Sequence, residues 1–432
     1  MPKTSIFWFR RDLRSFDNHG LYRALSESKN VKPIFIFDKN ILNKLDKTDH
    51  RVEFILSVLN KINLDLKKLN KGIEIYYGTP EEVFPKLLTQ HNVDTVYSNE
   101  DYAPYAIKRD NRIYDLCEKH SVNFKQYTDH VLLHPSTIKK QDGKPYTIFT
   151  PFSKKWFEKY NSLEPVTYPS ENLLNNLVDF IPNKINLIDL GFEKSHIELP
   201  VFKIDNAVIN NYHQKRDFPS VNGTTKWSVH LRFGTISIRK AYDLAKNQTL
   251  KTELVWREFY QMIMLEFPYS LKDSFKPKYD KIEWLNNEKH FELWCKGMTG
   301  YPIVDAGMRE LNATGHMHNR VRMVVASFLT KHLLIDWRWG EAYFAKMLFD
   351  FELASNVGGW QWAAGCGCDA APYFRVFNPY TQQEKFDKNL TYIKKWIPEF
   401  DAPFTYPKPI VDHKFARTRA IEHYKSYLNP TV

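Results

Sequence analysis

The first 130 residues alternate short apolar runs with segments of helical periodicity. "SIFWF" (5–9), "KPIFIFD" (32–38), "IEIYYG" (73–78) and "VDTVYSN" (93–99) are short runs with apolar centres and read as buried strands. Between them, 50–70, 80–91 and 106–120 repeat apolar residues at three- and four-residue spacings and predict helices. This alternation predicts a Rossmann-like parallel sheet with helices on both faces. The stretch has neither GxGxxG nor GxxxxGK, so the fold is expected without the glycine loop that cradles phosphates. Residues 131–204 are rich in Pro, Lys and Asn with weak periodicity, and read as a long connector. Past residue 205 strand patterns vanish. Helical patterns follow at 237–247, 252–267, 287–296, 303–314, 317–333, 340–349 and 386–396. The expected organisation is therefore an α/β domain (1–130), a connector (131–204) and an all-α domain (205–432).

Composition sharpens this picture in three places. Of the 11 Trp, all but Trp8 and Trp156 lie between Trp227 and Trp396, so the aromatic excess belongs to the helical half. The formal net charge of +11 points to an anionic partner, nucleic acid before membrane, although many lysines are scattered through 40–72 and 108–158. The four cysteines (117, 295, 366, 368) form no CxxC pair, disulfide framework or zinc site, and fit a reducing cytoplasm. The N-terminus carries arginines where a secretion signal needs its apolar segment. The chain has no apolar run long enough to span a membrane.

Candidate chemistry concentrates in the helical half. In "ELVWREFYQMIM" (253–264), Glu253, Trp256, Arg257 and Tyr260 share one helix face, and Leu254, Val255, Phe259 and Met262 supply core contact. The stripe reads as a site wall or, more commonly, as a Glu253–Arg257 surface pair with an aromatic rim. In "GHMHNRVRMVVASFLTKHLLIDW" (315–337), Asn319, Arg322 and Met323 share a face near the domain interior. Arg320 points elsewhere, with phosphate as a target. A buried Arg322 needs a partner, and Asp350 and Glu352 offer one. His316 and His318 have no third ligand nearby and read as core-edge histidines rather than a metal site. Gly223-Thr224-Thr225-Lys226-Trp227-Ser228 is a hydroxyl-rich turn suited to phosphate, or an ordinary N-cap through Thr225 or Ser228. "NVGGWQWAAGCGCDAAPYF" (356–374) places two indoles two residues apart. If helical, Trp360 and Trp362 project about 200° from each other, and Asn356 shares the face of Trp360. The Gly-Gly and Ala-Ala pairs would leave room for ligands to approach the backbone. Trp284, Trp337 and Trp360 stand in three separate segments, each a core anchor or a relay for single electrons.

Together these segments resemble the photolyase–cryptochrome family, and within it the class I cyclobutane pyrimidine dimer photolyases. The likeness runs from "FWFRRDLRSFDNHGL" (7–21) through "GTTKWSVHLRFGTIS" and "VWREFY". It is densest in 299–337 and in "NVGGWQWAAGCGCDAAPYFRVFNP" (356–379). The resemblance implies an N-terminal α/β antenna domain, an interdomain loop and a helical domain that holds FAD.

It further implies flavin contacts at Tyr212, Thr224, Thr225, Lys226, Trp227, Ser228, Arg257, Asn319, Arg322, Asp350, Glu352 and Asn356. Arg322 and Asp350 would form a salt bridge against the flavin ring, and Asn356 would face its N5. Electron transfer falls to Trp360, Trp337 and Trp284. Dimer contacts fall to Glu253, Trp256, Asn319, Met323 and Trp362, and DNA backbone contacts to Arg216, Arg320 and Arg375. No metal is implied.

Asn319 and Met323 stand where a (6-4) photolyase would carry histidines, and Met323 and Trp362 where DASH-type cryptochromes usually depart. His316 replaces a Trp common in relatives, and Val357 a second Asn. Tyr105-Ala106 replaces the Asn-Glu pair of folate-binding relatives, so "NEDYAPYAIKRDNR" (99–112) looks closer to a deazaflavin-type or antenna-less pattern. An antenna chromophore stays open in identity and presence. The implied function is light-driven repair of cyclobutane dimers in UV-damaged DNA by a cytoplasmic monomer without an obligate protein partner. The alternative is a cryptochrome-type photoreceptor without repair.

Overall fold

The computed structural model describes residues 3–182, 184–402 and 405–429. The chain falls into two compact units. One comprises residues 1–137, 157–202 and 227–244; the other comprises 138–156, 203–226 and 245–432. Residues 227–244 thus group with the N-terminal unit rather than with the helical residues around them in sequence.

In the first unit, β1 (Thr4–Phe9), β2 (Val31–Asp38), β3 (Glu74–Gly78), β4 (Val93–Asn99) and β5 (Asn123–Tyr127) form one sheet in the order β3-β2-β1-β4-β5. Every pairing is parallel: Phe7 on β1 sits opposite Pro33 on β2 and Tyr97 on β4. The strand order reverses between β1 and β4, as in doubly wound α/β folds. The longer helices here are α1 (His19–Glu27), α2 (His50–Leu66), α3 (Pro80–Gln90) and α4 (Pro104–Lys119). Ile6, Trp8, Ile34, Ile36, Phe84, Val96 and Ile113 pack one buried cluster. Four strands and three helices lie where the apolar pattern places them. The fifth strand, Asn123–Tyr127 (NFKQY), was not expected. It is an edge strand with mostly exposed side chains, so it carries no apolar run to betray it. Segment 227–244 is tied to this unit by charge. Arg239 bonds Asp17 and Asp129, and buried Arg14 bonds Asp129 at 2.6 Å.

The second unit is helical. Its longer helices are α5 (Phe149–Asn161, which begins here), α6 (Asn206–Lys215), α7 (Gln248–Glu266), α8 (Glu288–Lys296), α9 (Pro302–Thr314), α10 (Asn319–Ser327), α11 (Trp337–Met347), α12 (Leu353–Ala364), α13 (Pro379–Phe386) and α14 (His413–Leu428). A π-helical turn, Phe328–His332, follows α10. Trp294, Val321, Val325, Leu329, Trp337 and Trp360 are among the core residues. Helix α5 arises inside the expected connector. Phe149, Phe152 and Trp156 bury one face, and Trp156 Nε1 donates to buried Glu258 on α7 at 2.7 Å. Pro151 in the first turn, where proline is tolerated, and the surrounding lysines mask this pattern in the sequence. Among the described residues no helix is long and apolar enough to cross a membrane.

Candidate active site

Helix α7 supplies the first wall. Leu254, Val255, Phe259 and Met262 are buried as the pattern requires, which leaves Glu253, Trp256, Arg257 and Tyr260 half-buried on the other face. Glu253 does not pair along its own helix with Arg257. Its ion pair is with Arg216, the residue that caps the C-terminus of α6. The Arg216 guanidinium also lies over the Tyr212 ring, 5.8 Å from its centroid. Arg216 thus already has one carboxylate partner, on a neighbouring helix rather than its own.

Helix α10 supplies the second wall. His318 caps it by accepting the Arg320 N–H at 3.2 Å. Asn319, expected near the interior, is exposed as the first residue of the helix, between buried His318 and buried Val321. Arg320 does not turn away from Met323. Its Nη1 lies 3.7 Å from the Met323 sulfur, its Nη2 donates to Asp217 at 2.7 Å, and its guanidinium covers the Phe386 ring at 4.4 Å. Asp217, Arg320, Met323, Trp362, Arg375 and Lys385 line one open cavity of about 320 Å³ with Phe377, Gln382 and Phe386.

Helix α12 separates two environments. Glu352 is its N-cap, accepting the Ser355 N–H at 3.2 Å. Trp360 is only 2% exposed. It packs against Gly340 of α11, where a Cβ would overlap its ring, and lies edge-on to Phe344 and Trp294 with centroids 5.0 and 6.0 Å away. Trp362 faces the cavity instead. Gly358 does not make room for a ligand: a Cβ there would overlap the Tyr260 ring, whereas Gly359 faces open space. Asn356 donates its amide to the Glu341 backbone carbonyl at 3.1 Å and to the Glu341 carboxyl at 2.8 Å. Burial raises the Glu341 pKa. Arg322 finds Asp350 at 3.0 Å and also donates from Nε to the Met317 carbonyl at 2.7 Å.

The remaining positions are more dispersed. Trp337 is buried, with the Arg338 guanidinium over its ring at 4.7 Å. Trp284 is partly exposed and edge-on to Tyr424 at 5.8 Å. Trp294 and Tyr424 are rings that sequence reading overlooked. Trp294 lies in an expected helix but has no local mark beyond its core spacing, and α14, which carries Tyr424, was not anticipated. Thr224 and Thr225 are half-buried and Lys226 is exposed with a left-handed φ of 54°. These three belong to the second unit, and Trp227 and Ser228 to the first. The N-cap of the following short helix is Trp227, with no side-chain bond, so ordinary capping by Thr225 or Ser228 does not explain the turn. His316 approaches Glu310 at 3.6 Å. Among the described residues no group of three or more His, Cys, Asp or Glu could hold a metal.

Two family models match the chain: DNA photolyase over residues 5–170 and the FAD binding domain of DNA photolyase over 249–403. The deoxyribodipyrimidine photo-lyase of Vibrio cholerae is 34% identical, over 98% of this chain and 99% of its own length. This chain belongs to the DNA photolyase family. Among solved structures, the archaeal photolyase from Sulfolobus tokodaii, described with two FAD molecules, is 36% identical with a TM-score of 0.84. The match covers 98% of this chain and all of that one. A cryptochrome from Synechocystis is 26% identical with a TM-score of 0.82, over 98% and 99% of the two chains.

The donor set of this photolyase-family chain fits a flavin. The Arg322–Asp350 pair leaves the guanidinium partly exposed (24%) above a nearly buried carboxylate, a fixed dipole suited to a polar ring edge. Glu341 holds the Asn356 nitrogen, which fixes the orientation of its carbonyl oxygen.

Proposed function

We propose that this chain is a light-driven DNA repair enzyme, a deoxyribodipyrimidine photo-lyase that opens cyclobutane pyrimidine dimers in UV-damaged DNA. The observation that carries this reading is the division made by α12: Trp360 is buried among core rings, while Trp362, two residues on, lines an open cavity beside Met323 and Arg320. When bound, reduced FAD supplies chemistry that no side chain offers, a photoexcited electron lent to the dimer and then recovered.

Tyr212, Thr224, Thr225, Lys226, Arg257, Asn319, Arg322, Asp350, Glu352 and Asn356 would hold that cofactor. The Arg322–Asp350 pair would hold a polar ring edge, and Asn356, anchored by Glu341, would offer its carbonyl oxygen to a flavin donor. The dimer must leave the base stack to enter the cavity. Trp256 and Trp362 then flank its rings, each contact contributing about 1–3 kcal/mol. Met323 fills the gap between them with a polarisable surface. Glu253, released from Arg216, hydrogen-bonds the pyrimidine edge, and Asn319 at the rim orients it. Arg216, Arg320 and Arg375 neutralise phosphates, so affinity falls with added salt. A dimer seated in the cavity would exclude water from it. Trp360, Trp337 and Trp284 would relay single electrons from an external reductant toward the cofactor pocket.

The working division is an antenna-type domain (1–130), a connector (131–204) and a catalytic domain (205–432). The antenna, if bound, is of unassigned chemistry. Four free cysteines suit a reducing compartment such as the cytoplasm, and the working form is taken as a monomer.

The test is direct. Reduced protein is mixed with an oligonucleotide carrying one thymine dimer and illuminated with blue light, and intact thymines are counted against a dark control. Dimers that survive illumination would rule out repair and favour a flavin photoreceptor.

A further inference from the structure

Asp217 is a carboxylate in the cavity of a basic protein, at the place where DNA phosphate is wanted. It lines the cavity beside Arg320, Arg375 and Lys385. Its Oδ1 accepts from Arg320 Nη2 at 2.7 Å and lies 3.9 Å from Arg216 Nε. Arg216 in turn holds Glu253. The four charges alternate along one line, Glu253, Arg216, Asp217 and Arg320, and sum to zero. Arg320 is also fixed on its other sides, by the Phe386 ring at 4.4 Å and the Met323 sulfur at 3.7 Å. Its guanidinium is thus preorganised for an oxyanion, and that position is taken by an internal one.

We infer that Asp217 is an intramolecular stand-in for a DNA phosphate on Arg320, and so sets the discrimination between damaged and undamaged DNA. The inference rests on reading this cavity as the dimer pocket. An intact duplex inserts no base and offers Arg320 only a backbone phosphate at the cavity mouth, too weakly held to displace the carboxylate, so Arg320 stays with Asp217 and adds nothing to backbone affinity. A flipped dimer gains contacts to Trp362 and Met323 and brings its own phosphate to Arg320, which displaces the carboxylate. Arg216 already lies 3.9 Å from the Asp217 carboxylate, and the displaced side chain closes on it, where it competes with Glu253 and loosens that carboxylate for the pyrimidine edge. Phosphate arrival and release of Glu253 are coupled through one side chain.

The test compares flavin-loaded wild type with Asp217→Asn, using fluorescence anisotropy on duplexes with and without one dimer over a salt series. For undamaged duplex, Asp217→Asn is expected to raise affinity by about three- to fivefold. The slope of log affinity against log salt should steepen by about 0.9, one added phosphate contact. For dimer duplex the slope is expected to stay at its wild-type value, because that contact is already made, so the damaged-to-undamaged ratio falls. Adding Arg320→Ala should abolish the steepening, since Asp217 acts through Arg320. An unchanged slope on undamaged duplex, while Arg320→Ala alone weakens dimer binding, would overturn the role of Asp217 and leave the pocket standing. If Arg320→Ala leaves dimer affinity and its salt slope untouched, the pocket reading itself fails and the inference with it.

Discussion

The rings of Phe149 and Trp256 lie face to face, with centroids 3.5 Å apart and planes 7° from parallel. Phe149 is the first residue of α5, and its backbone N–H donates to Asp369 at 3.0 Å. One face of Trp256 is therefore covered by the protein itself, and the indole cannot swing toward that side.

This stack predicts a positioning role for Phe149. Phe149→Ala frees Trp256 to rotate and removes an aromatic contact worth about 0.5–1.5 kcal/mol. Affinity for dimer-containing DNA should drop several-fold while flavin content, read from the visible spectrum, stays at the wild-type level. Phe149→Tyr should restore most of the loss, whereas equal binding by wild type and Phe149→Ala would mean that Trp256 needs no support.

Glu253 should matter for the reaction more than for the cofactor. Glu253→Ala removes a charge-assisted hydrogen bond to the dimer, a class contributing about 1.5–3 kcal/mol. Repair per absorbed photon should fall on the order of tenfold with flavin content unchanged. Loss of flavin instead would place this residue in the wrong pocket.

The buried indoles should separate photoreduction from repair. Trp337→Phe is expected to block light-driven reduction of oxidised flavin, followed by its absorbance, and to spare repair by chemically reduced enzyme. Gly340→Ala tests the packing of Trp360. The added methyl meets that ring, and overpacking of this kind costs about 1–3 kcal/mol. A lowered melting temperature and slower photoreduction should appear together. A variant that melts like wild type would show that Trp360 can move.

Lys331 predicts a pH dependence of stability. It is 1% exposed, donates to the Ala364 carbonyl at the end of α12 at 2.8 Å, and sits 3.6 Å from the Tyr424 ring centroid. Burial pushes its amine down to about 7 from 10.5. Between pH 7 and 10.5 the unfolded chain binds a proton that the folded chain does not, so this group makes stability rise with pH across that window. Below pH 7 the cost of burying its charge is fully present. Lys331→Met should therefore gain most, relative to wild type, at pH 6 and lose that advantage by pH 10 in denaturant melts. A difference that does not vary with pH would show that the amine is charged throughout.

Much of this protein is legible in the order of its residues. Runs such as "SIFWF" and "KPIFIFD" must be buried on both faces, and their alternation with helical segments points to a parallel sheet. The helical spacing of Leu254, Val255, Phe259 and Met262 leaves only one face of α7 for chemistry. The 200° between Trp360 and Trp362 separates a core ring from a cavity ring as soon as the segment is helical. These features are local, set by backbone periods and by the cost of exposing apolar surface. Tertiary structure alone decided the partners. Glu253 meets Arg216 rather than Arg257, Arg320 meets Asp217, Tyr260 takes the space at Gly358, and Phe149 reaches Trp256 from 107 positions away. A charged or aromatic side chain is satisfied by whichever complementary group the fold brings within a few ångströms, and that choice is made by the packing of several helices at once. No single stretch of sequence contains it.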